Sequence, residues 1–432
     1  MRCENFLLPA SNKFLIFDFF SLLILIIVLQ RFAYIFVLLL FVPDIYIYWG
    51  YIERRVKSKL LRVAWWLPTL ALVAAFVVLM YIGSDNPMSE RSNAIGWLSI
   101  LMLAFGVPKF FFMLIGLLGD LCRFIIRLFT SSPNSQSSIL NSQSTTHRVF
   151  TIAGTIIGLC FFCMILYARV FGLRHFVVNE IEMHIPNLPQ SFDGYRVLQV
   201  SDIHSGSFKN MPDILEELVR RVNEQQADVI LFTGDLVNQR SSELEKFMQI
   251  LSGFHAKDGV YSILGNHDYG RYFHWQGADD ERLDTDRLCD LQRQMGWKML
   301  RNEHDILHHG TDSIAIIGVE NEGNPPFPQE ADLPRAMRGT EGMTKILLSH
   351  DPTHWRKEVL PNTDIALMLA GHTHATQFML FGWSPAQYIY KEWGGLYKEG
   401  NQQLYVNVGI GFVGLPFRFG AWPEITVFTL RR

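Results

Sequence analysis

Five short segments in the C-terminal half of the chain contain residue types that bind metal ions. The segments are Asp202-Ile203-His204, Gly234-Asp235, Gly265-Asn266-His267-Asp268, His350 and Gly371-His372-Thr373-His374. Their side chains offer imidazole, carboxylate and amide groups without a thiolate, a donor set that suits Mn, Fe or Zn better than a structural zinc site. The ions of a dinuclear site lie about 3.5 to 4 Å apart, and a bridging carboxylate can hold such a pair. The residue types therefore predict a site for two divalent metal ions.

Each segment follows a short apolar run of the kind that forms a buried strand. The runs are Tyr195–Ser201, Ala227–Thr233, Val260–Leu264, Lys345–Ser349 and Ile365–Ala370. Between the first two runs, Pro212–Gln225 has apolar residues on one helical stripe and charges on the other, which predicts a βαβ crossover. Ligands of such sheets bind beyond the carboxyl ends of the strands. We therefore expect the five segments to converge on one site.

Each segment also has a simpler structural interpretation. Gly-Asp after a strand is commonly a turn, Gly-Asn-His-Asp could be an ordinary loop, and Gly-His-Thr-His could be a turn with surface histidines. A single histidine such as His350 is more often a packed polar residue. The occurrence of all five segments, each after a strand-like run, favours the metal site. The other histidines are interpreted as surface residues, including His255, His304, His308, His309 and His354.

The order of these segments, D-x-H, G-D, G-N-H-D, H and G-H-T-H, resembles that of the calcineurin-like metallophosphoesterase superfamily. The resemblance covers roughly Val177 to the C-terminus, and the whole chain is similar to the membrane-anchored bacterial branch. It implies an α/β fold for residues 176–432, an αββα sandwich of two packed mixed sheets flanked by helices. It also implies that Asp202, His204 and His374 bind one metal ion, that Asn266, His350 and His372 bind the other, and that Asp235 bridges them.

The same resemblance implies two catalytic residues that are not metal ligands. His267 would stabilise the transition state or protonate the leaving oxygen, and Asp268 would orient its imidazole. A hydroxide held between the metal ions would attack phosphorus, because coordination lowers the pKa of water from 15.7 to about 7. The implied activity is that of a metal-dependent phosphoric ester hydrolase whose cofactors are two divalent ions, Mn, Fe or Zn.

The residues after the last ligands depart from the pattern of many relatives. Those relatives continue G-H-T-H as G-G-Q, whereas this chain has Ala375-Thr376-Gln377. The change adds bulk beside the ligands and bears on substrate access more than on metal binding. The resemblance implies relatives that act on phosphodiesters, phosphomonoesters and, in one branch, the pyrophosphate of UDP-diacylglucosamine. The residues do not select among these substrates.

Aromatic residues are concentrated in Phe378–Tyr397, just after the last ligand. An aromatic wall there would receive the apolar part of a phosphorylated amphiphile or touch the bilayer surface. The alternative is a hairpin that contributes ordinary core. We expect the substrate to be a phosphorylated small molecule or lipid at or near the membrane.

Residues 1–175 form a predicted transmembrane region. It contains four apolar candidates near or above the roughly 20 residues that cross a bilayer. They are approximately Phe14–Val42, Val63–Tyr81, Ile95–Leu118 and Phe150–Leu166. The first is interrupted by Gln30 and Arg31, so it is either one long tilted span or two short pieces. The Ser-, Asn- and Gln-rich residues 131–146 are predicted to form a flexible linker.

Loop charges predict the orientation of the spans. Glu53–Arg62 contains five basic residues and should be cytoplasmic, whereas Gly83–Asn93 has one Arg against two acidic residues and should lie outside. This order places the catalytic domain outside the cytoplasm, and Arg169 and Arg174 argue weakly for the opposite. We expect an integral protein of the bacterial inner, or cytoplasmic, membrane with an extracytoplasmic catalytic domain.

Charge and cysteine usage also differ between the two halves. Residues 1–175 carry 15 Lys and Arg against 7 Asp and Glu, a net charge of +8, and the remainder carries 23 against 34, or −11. A net negative domain argues against nucleic acid as a bulk partner. Of five cysteines, only Cys289 lies in the catalytic half, which excludes a disulfide framework or a thiolate metal site within that half alone.

A second function class has to be weighed against the enzyme. The metal domain could serve as a sensor or scaffold that binds metal without turnover, although the retention of His267 counts against this alternative. A transporter is weaker still, because the predicted spans contain few polar groups that could line a path.

Overall fold

The computed structural model describes residues 35, 37–82, 92–129 and 136–432. The chain divides into two compact units with a boundary between Leu166 and Tyr167. The boundary predicted from the sequence, at residue 175, lies further along the chain than this one. The difference arises because the rings of Tyr167 and His175 pack against Trp422 of the C-terminal unit, with centroid distances of 6.2 and 4.7 Å. The residues that leave the last apolar helix therefore belong to the C-terminal unit.

The N-terminal unit is helical wherever the structure describes it, apart from short connections. Its helices are α1 at 37–47 with a π-helical continuation at Tyr48–Ile52, α2 Glu53–Arg55, α3 Lys59–Ala64, α4 Leu67–Ile82, α5 Ser92–Phe129 and α6 Gln136–Val170. Three described segments are long and apolar enough to cross a membrane, namely Lys59–Leu79, Ala94–Leu128 and Ser144–Arg174. They overlap the second, third and fourth predicted spans. The first predicted span, Phe14–Val42, lies largely outside the described residues.

The predicted linker at 131–146 differs from the structure. Residues 136–146 form the first turns of α6. The segment contains neither Gly nor Pro after residue 136, so nothing interrupts the addition of one backbone hydrogen bond per residue once the helix has begun. Its polar composition reflects a polar helix end and not a flexible coil.

A buried ion pair connects the helices of the N-terminal unit. The Lys109 ammonium lies 2.7 Å from a carboxylate oxygen of Asp44, and the Thr69 hydroxyl donates to the same carboxylate. Asp44 is fully buried. A charged side chain in apolar surroundings is tolerated when a partner of opposite charge compensates its desolvation, as Lys109 does here.

The C-terminal unit contains two six-stranded mixed sheets, in the orders β1-β12-β2-β3-β4-β5 and β10-β11-β9-β8-β7-β6. The strands are β1 Val177–His184, β2 Arg196–Val200, β3 Val229–Phe232, β4 Val260–Ser262, β5 Lys298–Met299, β6 Glu303–His309, β7 Asp312–Gly318, β8 Lys345–Leu348, β9 Leu367–Ala370, β10 Gly395–Glu399, β11 Gln402–Val406 and β12 Glu424–Arg431. The helices are α7 Pro212–Glu224, α8 Met248–Leu251, α9 Asp280–Gln294, α10 Leu333–Met337 and α11 Leu360–Asn362.

Alternation along the strands produces three apolar layers. In β2, Val197 joins the cluster between the sheets, whereas Leu198 faces the apolar stripe of α7. In β8, Ile346 points into the same inter-sheet cluster, whereas Leu347 packs toward α10. Helices therefore cover the outer face of each sheet, and the αββα sandwich predicted from the sequence is confirmed.

The inter-sheet layer provides a test of the packing. Phe428 of β12 is 0% exposed and contacts Tyr405 of the second sheet, with ring centroids 5.1 Å apart. Replacement by alanine should lower the free energy of unfolding by about 3 to 5 kcal/mol, because it removes a buried ring and leaves a cavity. Thermal unfolding of the full chain in detergent measures the effect. Phe381→Ala is the matched control, because Phe381 is 100% exposed; equal melting temperatures for the two variants would contradict this packing.

Candidate metal centre

The predicted metal ligands follow the carboxyl ends of strands in both sheets. Asp202 and His204 follow β2, Asp235 follows β3 and Asn266 follows β4, while His350 follows β8, and His372 and His374 follow β9. Backbone hydrogen bonds between the loops hold them together, including Asp202 N to Gly234 O at 2.9 Å and His204 N to Asp235 O at 3.0 Å. All seven side chains therefore gather at one edge of the sandwich.

The backbone of these loops is strained. A positive φ is uncommon for residues other than glycine and costs on the order of 1 to 3 kcal/mol. Five predicted ligands have it: Asp202 (53°), His204 (48°), Asp235 (59°), His372 (74°) and His374 (51°). Such concentrated strain is typical of functional sites, where the surrounding structure forces side chains into a required geometry.

Asp202, His204 and His374 form the first donor cluster. Their ligand atoms all lie within 4.8 Å of one another. The Nε2 atoms of His204 and His374 are 3.1 Å apart, and Asp202 Oδ1 lies 3.3 Å from the latter and 4.0 Å from the former. Donors that surround one ion at about 2.0 to 2.2 Å are separated by distances of this order.

Asp235, His350 and His372 form the second cluster, also within 4.8 Å. Asp235 Oδ2 lies 3.2 Å from His350 Nε2 and 3.5 Å from His204 Nε2, so this carboxylate faces both clusters. Asn266 joins the second cluster through Oδ1, which is 2.8 Å from His372 Nδ1. The arrangement places the Asp235 carboxylate between two groups of candidate metal ligands.

Three histidines of the donor set are in the protonation state that binds divalent cations, in addition to having a suitable geometry. Burial lowers the pKa of His204 to about 3 and that of His372 to about 4, and it also lowers the pKa of His374. Neutral imidazole is the form that binds metal. Burial raises the pKa of Asp202 to about 6. The Nε2 atoms of His204 and His374 face each other beside the buried Asp202 carboxylate. A cation placed among these three groups would give each of them a partner.

Charge is balanced differently in the second cluster. Burial alone would lower the pKa of His350, but the facing Asp235 carboxylate raises it to about 10. For Asp235, burial would raise the pKa, and the surrounding imidazoles lower it well below its usual value. Asp235 is therefore an anion in the folded protein, and a deprotonated carboxylate is the form that binds metal.

His267 lies beside the donor clusters with one ring nitrogen fixed. Its Nδ1 is 2.7 Å from the carbonyl oxygen of Asn238, to which it donates, and its backbone N–H donates to Asp235 Oδ1 at 2.8 Å. The ring stacks on Tyr272, with centroids 4.2 Å apart, and meets His204 edge-on at 4.9 Å. Because Nδ1 is engaged, Nε2 is the nitrogen that can exchange a proton with a substrate.

The predicted role of Asp268 is wrong. Its fully buried carboxylate does not contact the imidazole of His267, which is oriented by the Asn238 carbonyl. Asp268 is the third residue of the short helical turn Asn266–Tyr269, and its side chain turns back toward unpaired backbone N–H groups, as the carboxylate of a capping box does. It accepts hydrogen bonds of 2.8 to 3.1 Å from the backbone N–H groups of Asp235, Leu236, Val237 and Gly265. Asp268 thus connects the loops after β3 and β4.

Arg418 belongs to the site but was not predicted from the sequence. Its fully buried guanidinium donates to the carbonyl oxygens of Val408, Gly411 and Ala421 and, at 2.9 Å, to His374 Nδ1. Burial lowers its pKa to about 10. Arg418 lies 44 residues after His374, in a loop without a recognisable motif, so only the folded chain brings the two together.

Two tyrosines complete the surroundings of the second cluster. The Tyr390 hydroxyl lies 2.9 Å from His372 Nε2, and Asn266 Nδ2 donates to the Tyr272 hydroxyl at 2.8 Å. Tyr390 belongs to the aromatic segment singled out in the sequence, whereas nothing in the sequence distinguished Tyr272.

The surface interpretation of His354 is also wrong. This histidine is fully buried, and its ring nitrogens lie 2.9 Å from Ser349 Oγ and 2.9 Å from a Glu358 carboxylate oxygen. It follows β8, and both of its ring nitrogens find partners in the connection between β8 and β9. His354 is therefore a structural residue outside the donor clusters.

Family comparisons agree with this geometry. A model described as Calcineurin-like phosphoesterase matches residues 195–376, and one described as Probable Calcineurin-like phosphoesterase, transmembrane domain, matches residues 25–173. The matched ranges contain all the predicted ligands and the three described membrane-span candidates up to residue 173.

Curated relatives are named as metallophosphoesterases, and one of them is named as a transmembrane protein. The uncharacterized metallophosphoesterase YkuE of Bacillus subtilis is 31% identical over 61% of this chain and 89% of its own length. A transmembrane protein with metallophosphoesterase domain from Danio rerio is 28% identical over 78% of this chain and 74% of its own. An uncharacterized metallophosphoesterase of Campylobacter jejuni is 26% identical over 93% and 98%. On these matches, and on the paired donor clusters, the chain belongs to the calcineurin-like metallophosphoesterase family and joins that domain to a transmembrane region.

Proposed function

We propose that this protein is a membrane-anchored phosphoesterase that uses two divalent metal ions to hydrolyse a phosphate ester or anhydride, on a membrane-associated or lipid-linked substrate. The observation that carries the proposal is the position of Asp235, whose carboxylate faces donors of both clusters at 3.2 and 3.5 Å. Asp202, His204 and His374 would hold one ion, and Asn266, His350 and His372 the other.

The metal ions would contribute Lewis-acid chemistry, lowering the pKa of water and withdrawing charge from the phosphoryl oxygens. The chain's own residues provide the rest. Hydrolysis forms a bond from a water oxygen to phosphorus and breaks the bond to the leaving oxygen. His267 gives a proton to that leaving oxygen from Nε2 while the Asn238 carbonyl holds Nδ1–H. Asp268 keeps the loop that contains Asp235 in place by accepting hydrogen bonds from three of its backbone N–H groups.

The membrane assignment of the substrate rests on two further observations. The chain carries its catalytic domain directly after the apolar segment Ser144–Arg174, and exposed aromatic residues follow the last ligands in sequence. The charge of the segments between the predicted spans supports an extracytoplasmic catalytic domain in a bacterial inner membrane, because Glu53–Arg62 is the most basic of these segments.

Metal loading tests the two clusters without any assay of activity. The full chain, stripped with a chelator and dialysed against Mn²⁺, should retain two ions per chain, one for each donor cluster. His204→Ala and His350→Ala should each lose about one ion, measured by elemental analysis. His308→Ala is the control, because His308 is exposed. Retention of both ions by the two cluster variants would contradict the assignment.

Catalysis is tested with Asp235→Asn, Asn266→Ala and His267→Ala. Each should sharply reduce Mn-dependent hydrolysis of an aryl phosphate ester while circular dichroism shows an intact fold. His267→Ala should lose about 10²- to 10⁴-fold in kcat, the usual contribution of a general acid, and should still bind both ions. Unchanged turnover in all three variants would eliminate the mechanism, and metal binding without turnover by the wild type would favour a sensor or scaffold.

The substrate class requires a separate experiment. The enzyme with Mn²⁺ is incubated with fractionated membrane lipids and nucleotide-lipids, and mass spectrometry identifies what loses a phosphoryl linkage. We expect a lipid-borne product with the wild type and none with Asp235→Asn. Hydrolysis confined to water-soluble esters would overturn the membrane-substrate assignment and leave the phosphoesterase in place.

A further inference from the structure

Five apolar side chains are exposed together in the segment that follows the metal ligands. Phe381 is 100% exposed, Tyr388 76% and Ile389 68%, and Leu380 and Trp383 are also exposed. We refer to these five residues as the aromatic rim. Exposed apolar side chains that cluster in this way commonly mark a surface that contacts another apolar phase.

The backbone at the tip of the rim is strained at the same residue that is most exposed, Phe381. Phe381 (φ 51°) and Gly382 (φ 79°) are the two central residues of a tight turn closed by hydrogen bonds of 2.9 and 3.0 Å between Leu380 and Trp383. Such turns favour Asn-Gly or Asp-Gly, because both central residues need positive φ. Phenylalanine is unfavourable at position 381 for two reasons: its backbone is strained, and its ring is exposed to water. A contact outside the domain would explain why the tip is aromatic.

A continuous row of rings connects the rim to the end of the last membrane-span candidate. Tyr167 contacts Trp422 at 6.2 Å, and the row continues from Trp422 to Phe419 (5.7 Å), Phe419 to Phe378 (5.9 Å) and Phe378 to Trp383 (6.3 Å). All these rings belong to the C-terminal unit. The rim and the residues that leave the apolar helix are therefore parts of one surface of that unit.

The end of that helix has the composition of a membrane interface. Ser144–Arg174 is long and apolar enough to span a bilayer, and its last residues include exposed Tyr167, Val170 and Phe171. Aromatic side chains at the ends of spans lie at the level of the lipid headgroups. The row of rings therefore begins, at Tyr167, at the level of the lipid headgroups.

We propose that the aromatic rim inserts into the interface of the bilayer that the chain itself spans. Aromatic and branched aliphatic side chains on a short turn are suited to the boundary between headgroups and acyl chains, where the rings enter an apolar phase and the tyrosine hydroxyl stays hydrated. The occupant of this surface is lipid, because the rim is continuous with the membrane end of the helix.

Insertion would bring the metal centre to the lipid surface. Tyr390 directly follows Ile389 of the rim, and its hydroxyl lies 2.9 Å from His372 Nε2. Thr376, which follows the last ligand by two residues, contacts Ser384 of the rim segment through hydroxyls 3.3 Å apart. This consequence rests on the proposed phosphoesterase activity: a headgroup phosphate would reach the centre without leaving the membrane surface.

A fluorescent probe at the rim tests insertion independently of catalysis. Phe381→Cys is made in a full chain whose reactive cysteines are replaced by serine, and it is labelled with an environment-sensitive nitrobenzoxadiazole. Cys289 is retained because it is buried. The chain is reconstituted in nanodiscs of phosphatidylcholine and phosphatidylglycerol, with or without lipids that carry a shallow nitroxide quencher. The cysteines to be replaced are Cys3, Cys122, Cys160 and Cys163.

Leu283→Cys is the matched control. Leu283 is an exposed apolar residue on α9, which packs beside β5. β5 is at the opposite edge of the first sheet from β1, the strand that follows the last membrane-span candidate in the chain. Insertion predicts blue-shifted emission at position 381 and quenching several-fold stronger than at position 283. Equal, weak quenching at both positions would overturn the proposal. Blue-shifted but unquenched emission at 381 would also overturn it, since a second protein would then cover the rim.

Discussion

The structure depends on one buried carboxylate held between imidazoles that come from different sheets. Asp235 follows β3 of the first sheet, yet it faces His350 from the second sheet and His204 from its own. Burial of an unpaired anion costs several kcal/mol, so the strand ends must deliver compensating groups to the same point. The strained loop backbones and the hydrogen bonds that Asp268 accepts are consequences of that requirement. The chain stabilises a concentrated set of metal donors through the packing of both sheets.

The architecture and the convergence of the candidate ligands could be predicted because their signals are local. Apolar runs that end in Asp, His or Asn reveal both a strand and the ligand at its carboxyl end, and the order of the segments relates them to one family. Asp268 was misassigned because its function depends on the directions of four backbone N–H groups, which no sequence pattern encodes. Arg418 and Tyr272 were missed for a related reason: long-range folding alone brings them to the ligands. The polar composition of residues 136–146 likewise led to the prediction of a flexible linker, whereas these residues form the first turns of α6.

The two residues after the last ligands show how a departure from the family pattern is accommodated. Many relatives have Gly-Gly here, and Ala375 (φ 48°) and Thr376 (φ 51°) retain the left-handed backbone that glycine adopts readily. Ala375 packs in a small apolar cluster with Val408 and Ala421, and Thr376 Oγ1 donates to the Ala375 carbonyl at 2.7 Å. The added side chains thus offset their backbone strain by packing and hydrogen bonding, and they join the ligand loop to the segment that carries the rim.

The position of β12 determines when the centre can form during biosynthesis. This strand, Glu424–Arg431, lies between β1 and β2, parallel to the former and antiparallel to the latter. Every donor residue precedes it along the chain, so a ribosome finishes all the ligand loops while the first sheet still has a gap beside β2. Long-range pairing of this kind forms slowly and late. A nascent chain that has not yet reached residue 424 would therefore hold its donor residues on an incomplete first sheet.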